Sequence, residues 1–224
     1  MIVDAAIEGM TGWISAAPAP SPGAEAGRSG AAPGTIPGVE ATDEALCARV
    51  ADGDEQAFDV LVGRYQGRAY RLAWSILRDA EDARDVSQDA FVTLFRSAST
   101  FRGRSRFSTW FYRILVNQCL DHRRRGGWWR RLVDRDPGDE NETSLTERQA
   151  APASDPAGDI DKERMMTALW SAVDGLAPRQ RAALLLHVQE ELPVAEIATV
   201  LQCSEATVRV HLHRAVLALK KSMR

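Results

Sequence analysis

Residues 194–221 read VAEIATVLQCSEATVRVHLHRAVLALKK, and their spacing decides how this part of the chain folds. Val194, Ile197, Ala198 and Leu201 recur at i, i+3, i+4 and i+7, and Val208, Leu212, Ala215 and Leu219 repeat an apolar stripe after a break at Gln202 and Cys203. That period marks one face of a helix. Pro193 suits a helix start, and Ser204 can cap the second helix through its hydroxyl. Two amphipathic helices joined by so short a turn predict a helix-turn-helix, with small Ala198 letting the helices approach and Leu201 and Val208 filling the angle between them. Gln202 falls at a turn position where a positive φ is expected, which glycine adopts more easily. Such a motif sets the N-terminal residues of its second helix against base edges in the major groove. Glu205, Arg209 and His213 point away from the apolar stripe, and Arg214, Lys220 and Lys221 lie on the flanks where phosphates would pass.

Upstream, Leu169, Val173 and Leu176 carry a helical period up to Pro178, which opens a further helix with Leu184, Leu185 and Val188. Residues 126–160 have no sustained period and hold Asp134, Asp136, Asp139, Glu140, Glu142, Glu147, Asp155 and Asp159 among three prolines, so an acidic, flexible linker is expected. Helical spacing governs residues 42–125. Asp54 caps a helix with Phe58, Leu61, Val62 and Tyr65, and Gly67 is expected to end it. A second helix carries Ala69, Leu72, Ala73, Ile76 and Leu77. A third begins after Asp79 with Val86, Ala90, Leu94 and Phe95 inward. A fourth, from about Thr109 to Arg125, buries Phe111, Ile114, Leu115 and Cys119. Residues 1–41 hold five prolines among Ala, Gly and Ser with no period, the composition of a disordered extension. The expected fold is all-α: two small helical domains, an N-terminal bundle over 42–125 and a C-terminal helix-turn-helix domain over 161–224, joined by the linker 126–160.

Charge is segregated. Lys plus Arg number 28 against 31 Asp plus Glu, a net charge of −3. Yet residues 102–131 hold nine arginines and one aspartate, while residues 132–163 hold ten acids and three bases. The basic block, FRGRSRFSTWFYRILVNQCLDHRRR over 101–125, carries Arg102, Arg104, Arg106, Arg113, Arg123, Arg124 and Arg125, interleaved with Phe107, Trp110, Phe111 and Tyr112. Cations track a phosphate backbone and aromatic faces stack on unpaired bases, so the block suits single-stranded or opened DNA. Asp82, Asp85 and Asp89, at i, i+3 and i+7, form an acidic stripe opposite the apolar side of the third helix, which points to a second, basic protein partner.

Other classes find no support. No apolar run reaches the 18 residues of a membrane span, and the N-terminus lacks a basic region followed by an apolar segment, so a cytoplasmic location is expected. Cys47, Cys119 and Cys203 lie far apart with no metal-ligand spacing, and His122, His187, His211 and His213 form no H-E-x-x-H motif. We expect no cofactor, no metal and no catalytic site.

Taken in order, GDEQAF (Gly53 to Phe58), DVSQDAF (Asp85 to Phe91), FSTWFYRI (Phe107 to Ile114), Asn117, DHRRR (Asp121 to Arg125), LAPRQR (Leu176 to Arg181), EIA (Glu196 to Ala198) and TVRVHLHRA (Thr207 to Ala215) resemble the sigma-70 family of RNA polymerase sigma factors, in particular the extracytoplasmic function (ECF) group. The resemblance implies binding to core RNA polymerase, promoter recognition, DNA melting and transcription initiation for a stress-response regulon. Asp82, Asp85, Gln88, Asp89 and Phe91 would meet the clamp helices of the largest subunit, with its flap region as a further contact. Arg102, Arg104, Arg106, Trp110, Asn117, Arg123 and Arg124 would read the −10 element, the loop from Ser99 to Ser108 holding a flipped base. Ser204, Thr207, Arg209, His213, Arg214 and Lys220 would read the −35 element. An anti-sigma factor is an implied partner that can also hold the chain at a membrane, without membrane insertion of its own. The rival reading is a stand-alone helix-turn-helix regulator, which leaves the basic aromatic block and the acidic stripe without a role.

Overall fold

The computed structural model describes residues 41–133 and 167–222, all of them helix, turn or loop. The expected extension, apart from Ala41, and the expected linker beyond Val133 lie outside the described residues.

The first helix, α1 (Asp43–Ala51), starts where the Thr42 hydroxyl accepts from the Ala45 N–H at 3.2 Å, and Asp43 and Glu44 place negative charge on its N-terminal dipole. Asp54 caps α2 (Glu55–Leu77) through the Ala57 N–H at 3.0 Å. Contrary to the expected break at Gly67, α2 runs through without interruption. A glycine inside a helix costs about 1 kcal/mol against alanine. The face Leu61, Tyr65, Ala69, Leu72, Ala73 and Ile76 stays in register across it and is buried throughout, which outweighs that cost. Arg78, in the left-handed region at φ 63°, turns the chain, and Asp79 caps α3 (Ala80–Ser97) by accepting from Asp82 N–H at 2.9 Å.

Val86, Ala90 and Leu94 of α3 are buried as expected, but Phe95 is 44% exposed. It lies one residue, about 100° of helix rotation, beyond Leu94. There it meets the half-buried Phe58 edge-on at 5.1 Å. A short 3₁₀ turn (Ala98–Thr100) leads to α4 (Phe107–Val133), which begins before the expected Thr109 and runs past Arg125. The Phe107 N–H donates to Glu44 at 2.9 Å, tying the start of α4 to α1. Phe107, Phe111, Leu115 and Cys119 are buried, and Ile114 only partly.

In the C-terminal half, helical residues 167–174 (α5) bury Leu169 and Val173. Next come α6 (Pro178–Val188), α7 (Val194–Leu201) and α8 (Glu205–Ser222), with Pro178 at the first turn of α6. Gln202 adopts φ 53° and ψ 49°, so the turn has the left-handed geometry its position implied, and Cys203 N–H closes on Ala198 C=O at 3.0 Å. Ser204 Oγ caps α8 through the Thr207 N–H at 3.2 Å. The two halves also touch: α4 lies against α7, and α2 against α6.

Burial sets the chemistry of the cysteines. It pushes the Cys47 thiol up to about 11, with Glu44 adding to the effect, and the Cys119 thiol up to about 12. Thiolate, the reactive form, is therefore scarce at both positions. Native protein at pH 8 is expected to be alkylated by iodoacetamide at the partly exposed Cys203 well before Cys47 and Cys119. Mass spectrometry of a time course checks this, and equal rates for all three would contradict the burial described.

Candidate nucleic-acid interface

α3 presents Asp85, Gln88 and Asp89 as one exposed strip, continued by the exposed Val92 one turn on. Asp82 is half-exposed and pairs with His122 Nε2 of α4 at 3.0 Å. Phe91 is not part of this surface. It is buried against Phe111, ring centroids 5.0 Å apart, because it falls on the inward stripe with Ala90 and Leu94.

The basic block divides in the same way. Arg102, Arg104 and Arg106 are exposed ahead of α4, where Gly103 takes φ 65° to turn the loop. Arg113 and Arg124 are exposed on α4, the latter paired with Asp121 at 2.6 Å. Arg123 is half-buried and donates to Ile76 C=O at the end of α2 at 2.9 Å, a contact that ties α4 to α2. Of the four interleaved aromatics, Phe107, Phe111 and Tyr112 are buried and unavailable for base stacking. They pack with Tyr65, whose ring lies 5.3 Å from Phe107 and 5.6 Å from Phe111. Trp110 is only partly buried while resting on Phe101 at 5.3 Å and Phe107 at 6.0 Å, and Asn117 is half-exposed. Of the four aromatics, Trp110 is therefore the one left as a candidate for base stacking.

On α8, Arg209, His213, Arg214 and Lys220 are exposed. Ser204 and Thr207 form the start of the helix, their hydroxyls 2.9 Å apart, and Arg209 pairs with Glu205 one turn away at 2.7 Å. An exposed pair of this kind contributes 0–1 kcal/mol, too little to hold Arg209 from a better partner. His211, in contrast, is half-buried, and burial together with Arg179 and Arg214 lowers its pKa, so its imidazole is neutral at pH 7.

Sequence reasoning missed the contacts between the two halves. Thr109 Oγ1 of α4 donates to Glu196 Oε2 of α7 at 2.5 Å, and Arg106 Nε lies 3.5 Å from Glu196 Oε1. Tyr112 O–H donates to Glu190. Burial raises the Glu190 carboxyl, while Tyr112, Arg68 and Arg71 oppose the shift. Gln189 Nε2 reaches Ser75 Oγ at 2.9 Å. The buried Arg181 guanidinium donates to Val173 C=O and Ile76 C=O, each at 3.0 Å, and to Asp174 C=O. Burial, with Arg123 and Arg78 nearby, lowers it to about 10 against the pull of Asp174, so it stays charged at neutral pH. Arg78 is sandwiched between Trp74 at 4.1 Å and Trp170 at 4.5 Å.

Known proteins resemble this chain in sequence and in fold. Residues 61–129 match the family described as Sigma-70 region 2, and residues 166–219 match Sigma-70, region 4. The chain is 34% identical over 182 residues to the RNA polymerase sigma-H factor of Pseudomonas aeruginosa, covering 81% of this chain and 93% of that one. It is also 34% identical over 176 residues to the ECF RNA polymerase sigma-E factor of Escherichia coli (strain K12), covering 78% and 90%. Among solved structures it is similar in fold to CnrH in complex with the cytosolic domain of CnrY, with a TM-score of 0.57, 24% identity, and 81% and 96% of the two chains covered. The sigma factor RpoE in complex with the anti-sigma factor NepR from Bartonella quintana gives a TM-score of 0.56 at 19% identity, over 74% and 96%.

Proposed function

The chain belongs to the sigma-70 family of RNA polymerase sigma factors, in its ECF group, and from that premise we propose how its surfaces divide the work. As a sigma factor it binds core RNA polymerase and directs promoter recognition. In our reading the α3 strip of Asp85, Gln88 and Asp89, with Asp82 at its edge, docks on the clamp helices of the largest subunit. Arg102, Arg104 and Arg106, with Trp110 and Asn117, hold unstacked bases and backbone of the opened −10 element. Ser204, Thr207, Arg209, His213, Arg214 and Lys220 address the −35 element. Taking a base out of the stack costs a few kcal/mol, which stacking on Trp110 and phosphate contacts by the arginines offset. An anti-sigma factor is the further partner we propose, and no helix among the described residues is long and apolar enough to cross a membrane.

One observation carries the reading: a carboxylate strip on α3 and a cationic face on α8 are exposed on a chain that holds both sigma-70 regions in order. Run-off transcription with purified core enzyme tests it. A promoter-specific transcript that depends on the chain is the expected result; tight binding of the free chain to duplex promoter DNA, with no transcript and no association with core, would favour a stand-alone regulator. Arg209→Ala is expected to cost about 1–3 kcal/mol of −35 discrimination, read as a loss of preference between a matched and a substituted −35 element in competition binding of the holoenzyme. An unchanged preference would move the base contact elsewhere on α8.

A further inference from the structure

Among the described residues the exposed large apolar side chains are Val60, Val92, Phe95, Val210 and Leu217. Val210, 46% exposed, stands in the second turn of α8, on the face already assigned to the −35 element. At about 100° per residue, Arg214 and His213 fall roughly 40° and 60° to either side of it one turn on, and Ala206 roughly 40° away one turn earlier. All three are exposed with it, and exposed Arg209 precedes it. An apolar centre is thus framed by Arg209, His213 and Arg214.

Neither folding term favours valine there. Its side chain buries little against the domain, and alanine, lysine or arginine are better helix formers. Other groups at the helix start are engaged: the Ser204 and Thr207 hydroxyls bond each other, Ser204 caps the helix, and His211 is half-buried. What the first two turns of α8 leave outward is Glu205 paired with Arg209, then Ala206, Val210 and His213. Val210 lies ~9 Å along the helix from Ser204, inside the ~12 Å width of a major groove, whereas Leu217, ~20 Å along, lies past it.

Every base edge in that groove shows hydrogen-bonding groups, and thymine alone adds an apolar one, its C5-methyl. An isopropyl group pressed on a donor or acceptor desolvates it without supplying a partner; pressed on the methyl, it buries carbon against carbon. Consecutive Cα atoms are about 3.8 Å apart and base pairs ~3.4 Å, so Arg209 and Val210 address neighbouring positions.

We propose that Val210 is a specificity-determining residue of the −35 contact, its side chain packing on the C5-methyl of one thymine next to the base that Arg209 addresses. This contact presupposes the sigma-factor reading and deepens it: it names a base that the element must contain at one position and the group by which that base is told from cytosine.

Duplex promoters randomised across the −35 region are selected by the holoenzyme, and each thymine of the recovered element is replaced in turn by deoxyuridine, which removes the methyl group alone. Competition binding of the holoenzyme is expected to weaken about threefold to fivefold at one thymine, the value of one methyl group withdrawn from contact. Cytosine at that position should weaken it about tenfold, and 5-methylcytosine should recover about threefold of that. In the Val210→Ala holoenzyme, thymine and deoxyuridine bind alike, while Val210→Ile keeps the difference. Both variants fold, because the position is exposed and alanine is the better helix former. Val210→Ala leaves the salt dependence of binding unchanged, since no phosphate contact is lost, whereas Arg214→Ala reduces it.

An element without thymine, or one in which no thymine responds to loss of its methyl, overturns the inference. So does a thymine whose methyl still counts in full for the Val210→Ala holoenzyme, which would place the contact on another side chain such as Ala206. Failure of the sigma-factor reading looks different: no element is enriched in a core-dependent way, and the Val210 contact falls with it.

Discussion

Phe111→Ala is expected to lower the stability of the N-terminal domain by about 3–5 kcal/mol, the range for truncating a buried phenylalanine. Phe111 is fully buried at the middle of an aromatic group formed by three helices. Its ring lies parallel to Phe107 at 6.2 Å, 5.0 Å from Phe91 and 5.6 Å edge-on from Tyr65, so the substitution removes contacts from α2, α3 and α4 together. These three rings and Tyr112, at 6.0 Å, cannot close around a methyl group without leaving rotamer minima, so a cavity remains and adds to the lost transfer energy. For a domain of this size, with total stability of about 5–15 kcal/mol, the melting temperature should fall by roughly 15–30 °C. Circular-dichroism melting and urea denaturation measure it. A loss under about 1 kcal/mol would mean that Phe111 is not the centre of the core.

The rings around Phe111 mark where sequence reading reaches its limit. Caps at Asp54 and Ser204 were legible because a side-chain oxygen three residues ahead of a free N–H is a local event. The apolar stripes were legible because period alone assigns Leu61, Leu94 or Leu212 to an inner face. The continuity of α2 through Gly67 was not, since it depends on burial of Ala69, Leu72 and Ile76 by helices distant in sequence. The partition of the aromatic block was legible only for Phe111, which the period places inward. Phe107 and Tyr112 have the composition of a base-stacking surface, yet Tyr65 claims their faces. Arg123 likewise reads as one of a run of phosphate-binding cations until Ile76 C=O is seen to take its N–H. Arg181 and Glu196 lay within matched motifs, but nothing in their period or spacing indicates that they reach across to the other domain.

Asp85→Lys combined with Asp89→Lys is expected to weaken association with core RNA polymerase by about a hundredfold, equivalent to ~2.7 kcal/mol. Both side chains are exposed one turn apart on α3, so a basic partner surface would meet two cations in place of two anions. Like charges brought face to face at an interface cost several kcal/mol, and the penalty shrinks as salt screens it. The domain itself should tolerate the change within about 0.5 kcal/mol, because exposed positions off the core seldom matter more to stability. Equilibrium binding to fluorescently labelled core enzyme, repeated from 0.05 to 0.5 M salt, gives the magnitude and its screening. Binding of the single-stranded −10 oligonucleotide by the same variant supplies the contrast. Loss of core association with oligonucleotide binding retained assigns the strip to the polymerase. Core association within threefold of wild type would remove Asp85 and Asp89 from that interface and leave Val92 and its neighbours to carry it. Parallel loss of both activities would point to damage of the domain, which the unchanged melting expected here is there to detect.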